Sequence, residues 1–168
     1  MKIIVDAFGG DNAPLAILQG AQMAVAEYDV TVVLVGDETK IRACANEHNI
    51  AMDGLEILQA DDVISMHDEP TEIIKSKKNS SMAVGMKALA DGLGDAFVSA
   101  GSTGALVVGG TLIVKRIKGI KRVALASMIP GKNNNYLMLD IGANADCRPE
   151  MLAQFGVMGS VYMENVEG

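Results

Sequence analysis

Lys2-Ile3-Ile4-Val5-Asp6-Ala7-Phe8-Gly9-Gly10-Asp11-Asn12-Ala13-Pro14 opens the chain. An apolar, β-branched run ends at a carboxylate, passes through paired glycines and polar residues, and reaches a proline. Proline suits the first position of a helix, because the N–H it lacks would have no partner there. The stretch reads as a strand, a loop and a helix start, and the pattern recurs. Strands are predicted at Lys2 to Asp6, Thr31 to Gly36, Leu55 to Leu58, Ala96 to Ala100, Val123 to Ser127 and Leu137 to Ile141. Helices are predicted to begin at Pro14, Thr39, Met82, Thr103 and Pro149. Most of the strands are continuously apolar, as strands covered on both faces are. Such alternation predicts a three-layer α/β/α architecture around a largely parallel sheet.

The chain's 168 residues suffice for one compact domain, and two independent domains are not expected. A composition of 49% hydrophobic and 21% charged residues, with 18 Gly and 4 Pro, excludes disordered, collagen-like and coiled-coil classes. A net charge of -7 repels nucleic acid and anionic lipid, so an anionic partner must be met by a local feature. Cys44 and Cys147 make neither a disulfide framework nor a metal site, which points to a reducing cytoplasm. The apolar start is too short for an export signal. The longest apolar run, Ala105 to Val114, contains Gly109 and Gly110 and falls well short of the roughly 20 residues that span a bilayer. It predicts a buried helix. Gln59 to Asn79 is the least regular stretch and is expected to be the most mobile.

Each of three loops follows a predicted strand and precedes a helix, where open α/β sheets gather ligands. Asp6 to Pro14 carries the paired glycines. Ser99-Ala100-Gly101-Ser102-Thr103-Gly104 brackets two hydroxyls between glycines at a helix start, an arrangement suited to phosphate. Asp140-Ile141-Gly142-Ala143-Asn144-Ala145-Asp146-Cys147-Arg148-Pro149 adds an amide, carboxylates, a thiol and a cation. Parallel strands would bring all of these loops to one edge. Each feature also has a structural reading: glycine loops serve tight turns, Ser102 and Thr103 can cap a helix, and Asp6 can hold a neighbouring loop.

The common nucleotide motifs fail. Gly9-Gly10-Asp11 lacks the G-x-G-x-x-G spacing, and Gly104 to Gly109 is followed by Gly110-Thr111 where a P-loop requires Lys and Ser/Thr. No metal site and no cofactor are expected. His48 and His67 read as surface residues. Cys147 stands at a helix start beside Arg148, a setting that activates thiols, yet no histidine accompanies it nearby in sequence. Lys115, Arg116, Lys118, Lys121 and Arg122 form the densest basic cluster, either complementing a helix end or presenting a docking patch to an acidic partner.

Val5 to Pro14, Ser80-Ser81-Met82-Ala83-Val84-Gly85, Asp95 to Leu106, Leu139 to Cys147, Pro149-Glu150 and Gln154-Phe155 together resemble the bacterial phosphate acyltransferase (PlsX) family. Two departures are visible: Ser102 stands where the family usually has Asn, and Phe8 where it usually has Met. The resemblance implies that residues 1–168 are the N-terminal part of a longer protein, with the C-terminal half absent from this chain. It implies an incomplete part of a larger isocitrate/isopropylmalate dehydrogenase-like fold.

The resemblance further implies transfer of a fatty acyl group from acyl carrier protein to inorganic phosphate, making acyl phosphate for phospholipid synthesis. Phosphate is then the nucleophile, and the protein's task is to hold it against a thioester and stabilise the oxyanion. On this reading Asn144, Ser102 and Thr103 are the catalytic candidates. Gly9, Gly10, Asp11, Asn12, Gly101, Gly104, Gly142, Ala143, Asp140 and Asp146 shape the substrate site. The basic cluster becomes the carrier-protein docking surface. The family also implies a homodimer with peripheral membrane association, while the cysteine usage and the acidic balance imply a cytoplasmic protein with no nucleic-acid partner. Alternative readings are a phosphotransacetylase-like acyl-CoA:phosphate transferase and a non-catalytic module that binds anions or carrier protein.

Overall fold

A computed structural model describes all residues, 1–168. The chain divides into two compact units, Met1–Lys115 and Arg116–Gly168.

The first unit alternates strands and helices: β1 (Lys2–Asp6), α1 (Leu15–Glu27), β2 (Thr31–Gly36), α2 (Glu38–Glu47), β3 (Leu55–Gln59), α3 (Ser81–Ala90), β4 (Ala96–Val98) and α4 (Thr103–Gly109). A 3₁₀ turn at Pro70–Ile74 precedes α3, and a π-helical segment, Gly110–Lys115, continues α4. All pairings in the four-stranded sheet are parallel, in the order β3-β2-β1-β4.

β2 shows why its continuous apolar run is needed. Val32 and Leu34 point to one face, where they meet Leu18 and Ala21 of α1 and Ile41 and Ala45 of α2. Val33 and Val35 point to the other, where they join Ile4 and Ala88 of α3. A strand with side-chain period 2 and a helix layer on each side must be apolar at every position.

Side chains set the helix starts. Asp37 caps α2 by accepting from Lys40 N–H, and Ser80 caps α3 by accepting from Ala83 N–H. Pro14 falls one residue before α1.

Two expectations are corrected. The apolar stretch from Ala105 is partly α-helical and partly π-helical, with Ala105 and Gly109 buried. The 59–79 segment is tied down: Ile64 and Ile73 are buried against Met82, Met86 and Ala105, and Lys77 Nζ pairs with Asp62 at 2.9 Å.

The second unit holds β5 (Ala126–Ile129), β6 (Tyr136–Leu139) and α5 (Pro149–Val166). Its strands were expected at Val123 to Ser127 and Leu137 to Ile141 as further parallel strands. They form an antiparallel hairpin instead, with Ala126 opposite Leu139 and Ile129 opposite Tyr136. The reason lies in the connection: a parallel crossover needs a dozen or more residues, and residues 130–135 are too few. α5 begins at Pro149, buries Phe155, and brings Gly159 close to Leu139 of β6. No helix is long and apolar enough to cross a membrane.

Candidate functional site

Val5 of β1 lies opposite Val98 of β4 in parallel register, so the loops that follow leave the carboxyl edge of the sheet side by side. Hydrogen bonds tie them together. Asp6 is 2% exposed, and its carboxylate accepts from Ser99 Oγ at 2.8 Å and from Phe8 N–H at 3.1 Å. Ser99 Oγ in turn accepts from Gly101 N–H at 3.1 Å. A buried carboxylate is thereby satisfied, and the satisfied network holds both backbones in one arrangement.

Gly9 makes this possible. A Cβ at that position would lie 2.7 Å from Asp6 Oδ2, 2.7 Å from Ser99 Oγ and 2.9 Å from Gly101 N, so only glycine lets the strands of the network close. Gly10, at φ +98, turns the chain outward and packs against Ala100.

A cavity of ≈ 410 Å³ opens above these loops. Gly10, Asp11, Gly101 and Ser102, all singled out in the sequence, lie on its wall. Ser102 caps α4 by accepting from Ala105 N–H at 3.3 Å. That bond uses an oxygen lone pair and leaves the hydroxyl hydrogen for a bound anion. Thr103 is the exposed first residue of α4. Gly104 serves packing, where α4 passes close to Pro70. Asn12 is exposed, and its carbonyl accepts from Ala16 N–H at the start of α1. Sequence reasoning missed the opposite wall, residues 63–67 together with Phe8. That segment has no periodicity, and only its tertiary position brings it to the glycines.

The Asp140 to Pro149 loop follows β6, an antiparallel strand of the second unit, and no strand of the parallel sheet. Asp140 organises it. Its carboxylate accepts from Leu125 N–H at 2.8 Å, Ala143 N–H at 3.1 Å, Asn144 N–H at 2.8 Å and Asn144 Nδ2 at 2.8 Å. Burial alone would raise the Asp140 pKa, but the bonds from the Asn144 side chain and from the three backbone N–H groups outweigh it and hold the carboxyl below its ordinary value. Asn144 Nδ2 also donates to Val123 O at 2.9 Å. Both hydrogens of its amide are therefore engaged within the loop, and Oδ1 is the atom left to offer. Gly142, at φ +121, forms the bend, and Asp146 is exposed.

The basic cluster is not the end of a regular α-helix. Lys115 closes the π-helical segment, and residues 116–122 form an irregular loop. The Arg116 guanidinium donates to Lys121 O. Gln154 of α5 clamps the loop, accepting from Lys121 N–H and donating to Gly119 O at 2.9 Å each. Lys121 Nζ lies 3.8 Å from Glu150. Lys118 and Arg122 are exposed. No group of three or more His, Cys, Asp or Glu side chains forms a candidate metal site.

Layer order and parallel pairing define an α/β protein, and superposition identifies its fold as that of the phosphotransacetylases. The chain superposes on the EutD phosphotransacetylase of Staphylococcus aureus with a TM-score of 0.71 at 24% identity, covering 97% of this chain and 52% of that one. It superposes on a phosphotransacetylase of Streptococcus pyogenes with a TM-score of 0.71 at 20% identity, covering 94% of this chain and 51% of the other.

The protein belongs to the family described as fatty acid synthesis protein, whose profile matches residues 1–168. It is 45% identical over 166 residues to a phosphate acyltransferase of Clostridium kluyveri, covering 99% of this chain and 50% of that protein. It is 49% identical over 168 residues to one of Listeria innocua, with 99% and 49% covered. The chain thus spans about half the length of the curated relatives it matches.

The expectation of an isocitrate/isopropylmalate dehydrogenase-like fold is corrected by the superpositions, which are to phosphotransacetylases. Periodicity prescribes layers and parallel pairing, which many families share. Strand order and crossover paths separate those families, and they arise from long-range packing that a local pattern does not encode.

Proposed function

We propose that the protein acts as a phosphate acyltransferase, moving a fatty acyl group from acyl carrier protein to inorganic phosphate. Its close relation to phosphate acyltransferases along its whole length carries this reading. A phosphate oxygen attacks the thioester carbonyl, the C–O bond forms as the C–S bond breaks, and the thiol leaves with the proton released by phosphate. The chemistry needs a positioned anion and donors for the oxyanion, and no protein nucleophile. The backbone of Gly9, Gly10 and Gly101 with the Ser102 hydroxyl supports such a cradle, and Thr103 extends it.

Incubation with acyl carrier protein bearing a fatty acyl thioester should release free carrier protein and acyl phosphate only when phosphate is present. Phosphate-independent loss of the thioester, or none, would refute the assignment. Ser102→Ala should lower phosphate-dependent turnover about tenfold while costing about 1 kcal/mol in stability from the lost cap. Ser102→Asn, which restores both a cap and a donor, should retain turnover.

The phosphotransacetylase fold favours acyl-CoA as a second donor class, and a direct comparison of the two thioesters separates these readings. Phosphate binding without turnover by either donor would assign a binding module.

The exposed Lys118 and Arg122 are proposed to meet the acidic carrier protein. A K118E/R122E variant should raise KM for the carrier substrate about tenfold at low salt, with little change in kcat, and the difference should shrink as salt is added. An unchanged KM removes the docking assignment. The same reading carries a homodimeric cytoplasmic enzyme with peripheral access to membrane lipid, which sedimentation and vesicle flotation would test.

A further inference from the structure

Building on the phosphate reading above, we propose that His67 supplies the positive charge of the anion site. A phosphate dianion entering the ≈ 410 Å³ cavity meets Asp11 on the wall and has the buried Asp6 carboxylate behind Gly9. Both oppose it. Among the residues lining the cavity, His67 is the one side chain able to carry positive charge. Backbone N–H groups supply dipoles, and an ionised partner strengthens such anion contacts well beyond what neutral donors give.

His67 is held in place from both sides. At the base of its loop, Lys77 pairs with Asp62 at 2.9 Å and Ser81 N–H donates to Asp62 O at 2.9 Å. Ile64, 5% exposed, is buried in the core beneath. Beyond it a tight turn closes: Ser65 N–H donates to Asp68 Oδ2 at 2.7 Å, His67 N–H to Ser65 Oγ at 3.2 Å, and Asp68 N–H to Ser65 O at 3.3 Å. The pinned turn removes the backbone part of the ordering cost when the exposed imidazole meets a ligand. Its charged surroundings are Asp68 and Glu69 next in the chain, Asp11 across the cavity, Asp6 beneath Gly9, and the Asp62–Lys77 pair at the loop base.

The test is calorimetric titration of inorganic phosphate into the whole protein, its His67→Gln variant and its His67→Lys variant, at about pH 6 and about pH 8.5, on either side of the range where histidine changes charge. Comparing proteins at one pH cancels the titration of phosphate itself. His67→Gln should bind phosphate about fivefold more weakly than the parent at the lower pH and nearly equally at the higher, because a partly exposed cation contributes modestly. His67→Lys should match the parent at the lower pH and exceed it at the higher. Equal affinity of parent and His67→Gln at both pH values overturns the assignment while leaving the phosphate reading intact. Absence of phosphate binding by the parent overturns that reading and this inference with it.

Discussion

Gly9→Ala is expected to destabilise the first unit by about 3 kcal/mol and to abolish phosphate binding, through a single methyl group. The methyl would stand 2.7 Å from both Asp6 Oδ2 and Ser99 Oγ and 2.9 Å from Gly101 N. Gly101 N is backbone, and the two side-chain ends are tethered to each other and to the Phe8 and Gly101 N–H groups by hydrogen bonds. Relief requires the β1 and β4 loops to separate, which breaks the Ser99–Asp6 and Gly101–Ser99 bonds and leaves buried polar groups without partners. Overpacking costs roughly 1–3 kcal/mol, and each stranded buried group adds a comparable amount. Gly20→Ala is the matched control. It lies within α1 with nothing within 4 Å of the added methyl, so it should stabilise by roughly 0.5–1 kcal/mol. Urea denaturation of the two variants should therefore move in opposite directions. A Gly9→Ala protein as stable as the parent would refute the linked-loop description.

Asp140→Ala should loosen the second unit with a loss of about 2–4 kcal/mol, discounted from four charge-assisted bonds because the residue is partly exposed. Amide hydrogen exchange should show lost protection at Leu125, Ala143 and Asn144, and retained protection there would contradict the proposed organisation.

A pH dependence accompanies it. The folded-state pKa of Asp140 is lowered. Its contribution is thus fully present above the ordinary carboxylate range and is lost as pH falls through the depressed folded value. Asp62, lowered chiefly by its hydrogen bond to Lys77, acts with the same sign in the first unit. Asp140→Asn should accordingly flatten the acid limb of the stability curve for the second unit and leave that of the first unchanged. An acid limb as steep as the parent's would remove Asp140 as its source.

Much of the first unit was readable from residue order. The run Val32-Val33-Leu34-Val35 is apolar at every position, which only a doubly covered strand tolerates, and it occupies the interior of the sheet. The helix starts expected at Thr39, Met82 and Thr103 lie within a residue of the observed ones, which Asp37, Ser80 and Ser102 cap. The second unit was harder. Val123 to Ser127 and Leu137 to Ile141 carry the composition of buried parallel strands, yet the short Pro130 to Asn135 connection permits only a hairpin. Loop length is the feature that separates the two arrangements.

The candidate site divides in the same way. Gly10, Asp11, Gly101 and Ser102 announced themselves as glycine loops at strand ends, and they line one cavity. His67 read as a surface histidine in an acidic loop, and Asp6 as a residue that can hold a neighbouring loop. His67 reaches the cavity because Ile64 and the Asp62–Lys77 pair anchor a segment without periodicity. Asp6 meets Ser99 across 93 positions of sequence.

Local order was enough for the layers, the parallel pairing, the glycine loops and the family, since each rests on side-chain period, cap chemistry or short motifs written in consecutive residues. Packing settled which strands turn back on themselves, which loop faces the glycines and which carboxylate ties the loops together. These depend on groups far apart in the chain meeting at van der Waals distance, and no window of neighbouring residues records that meeting.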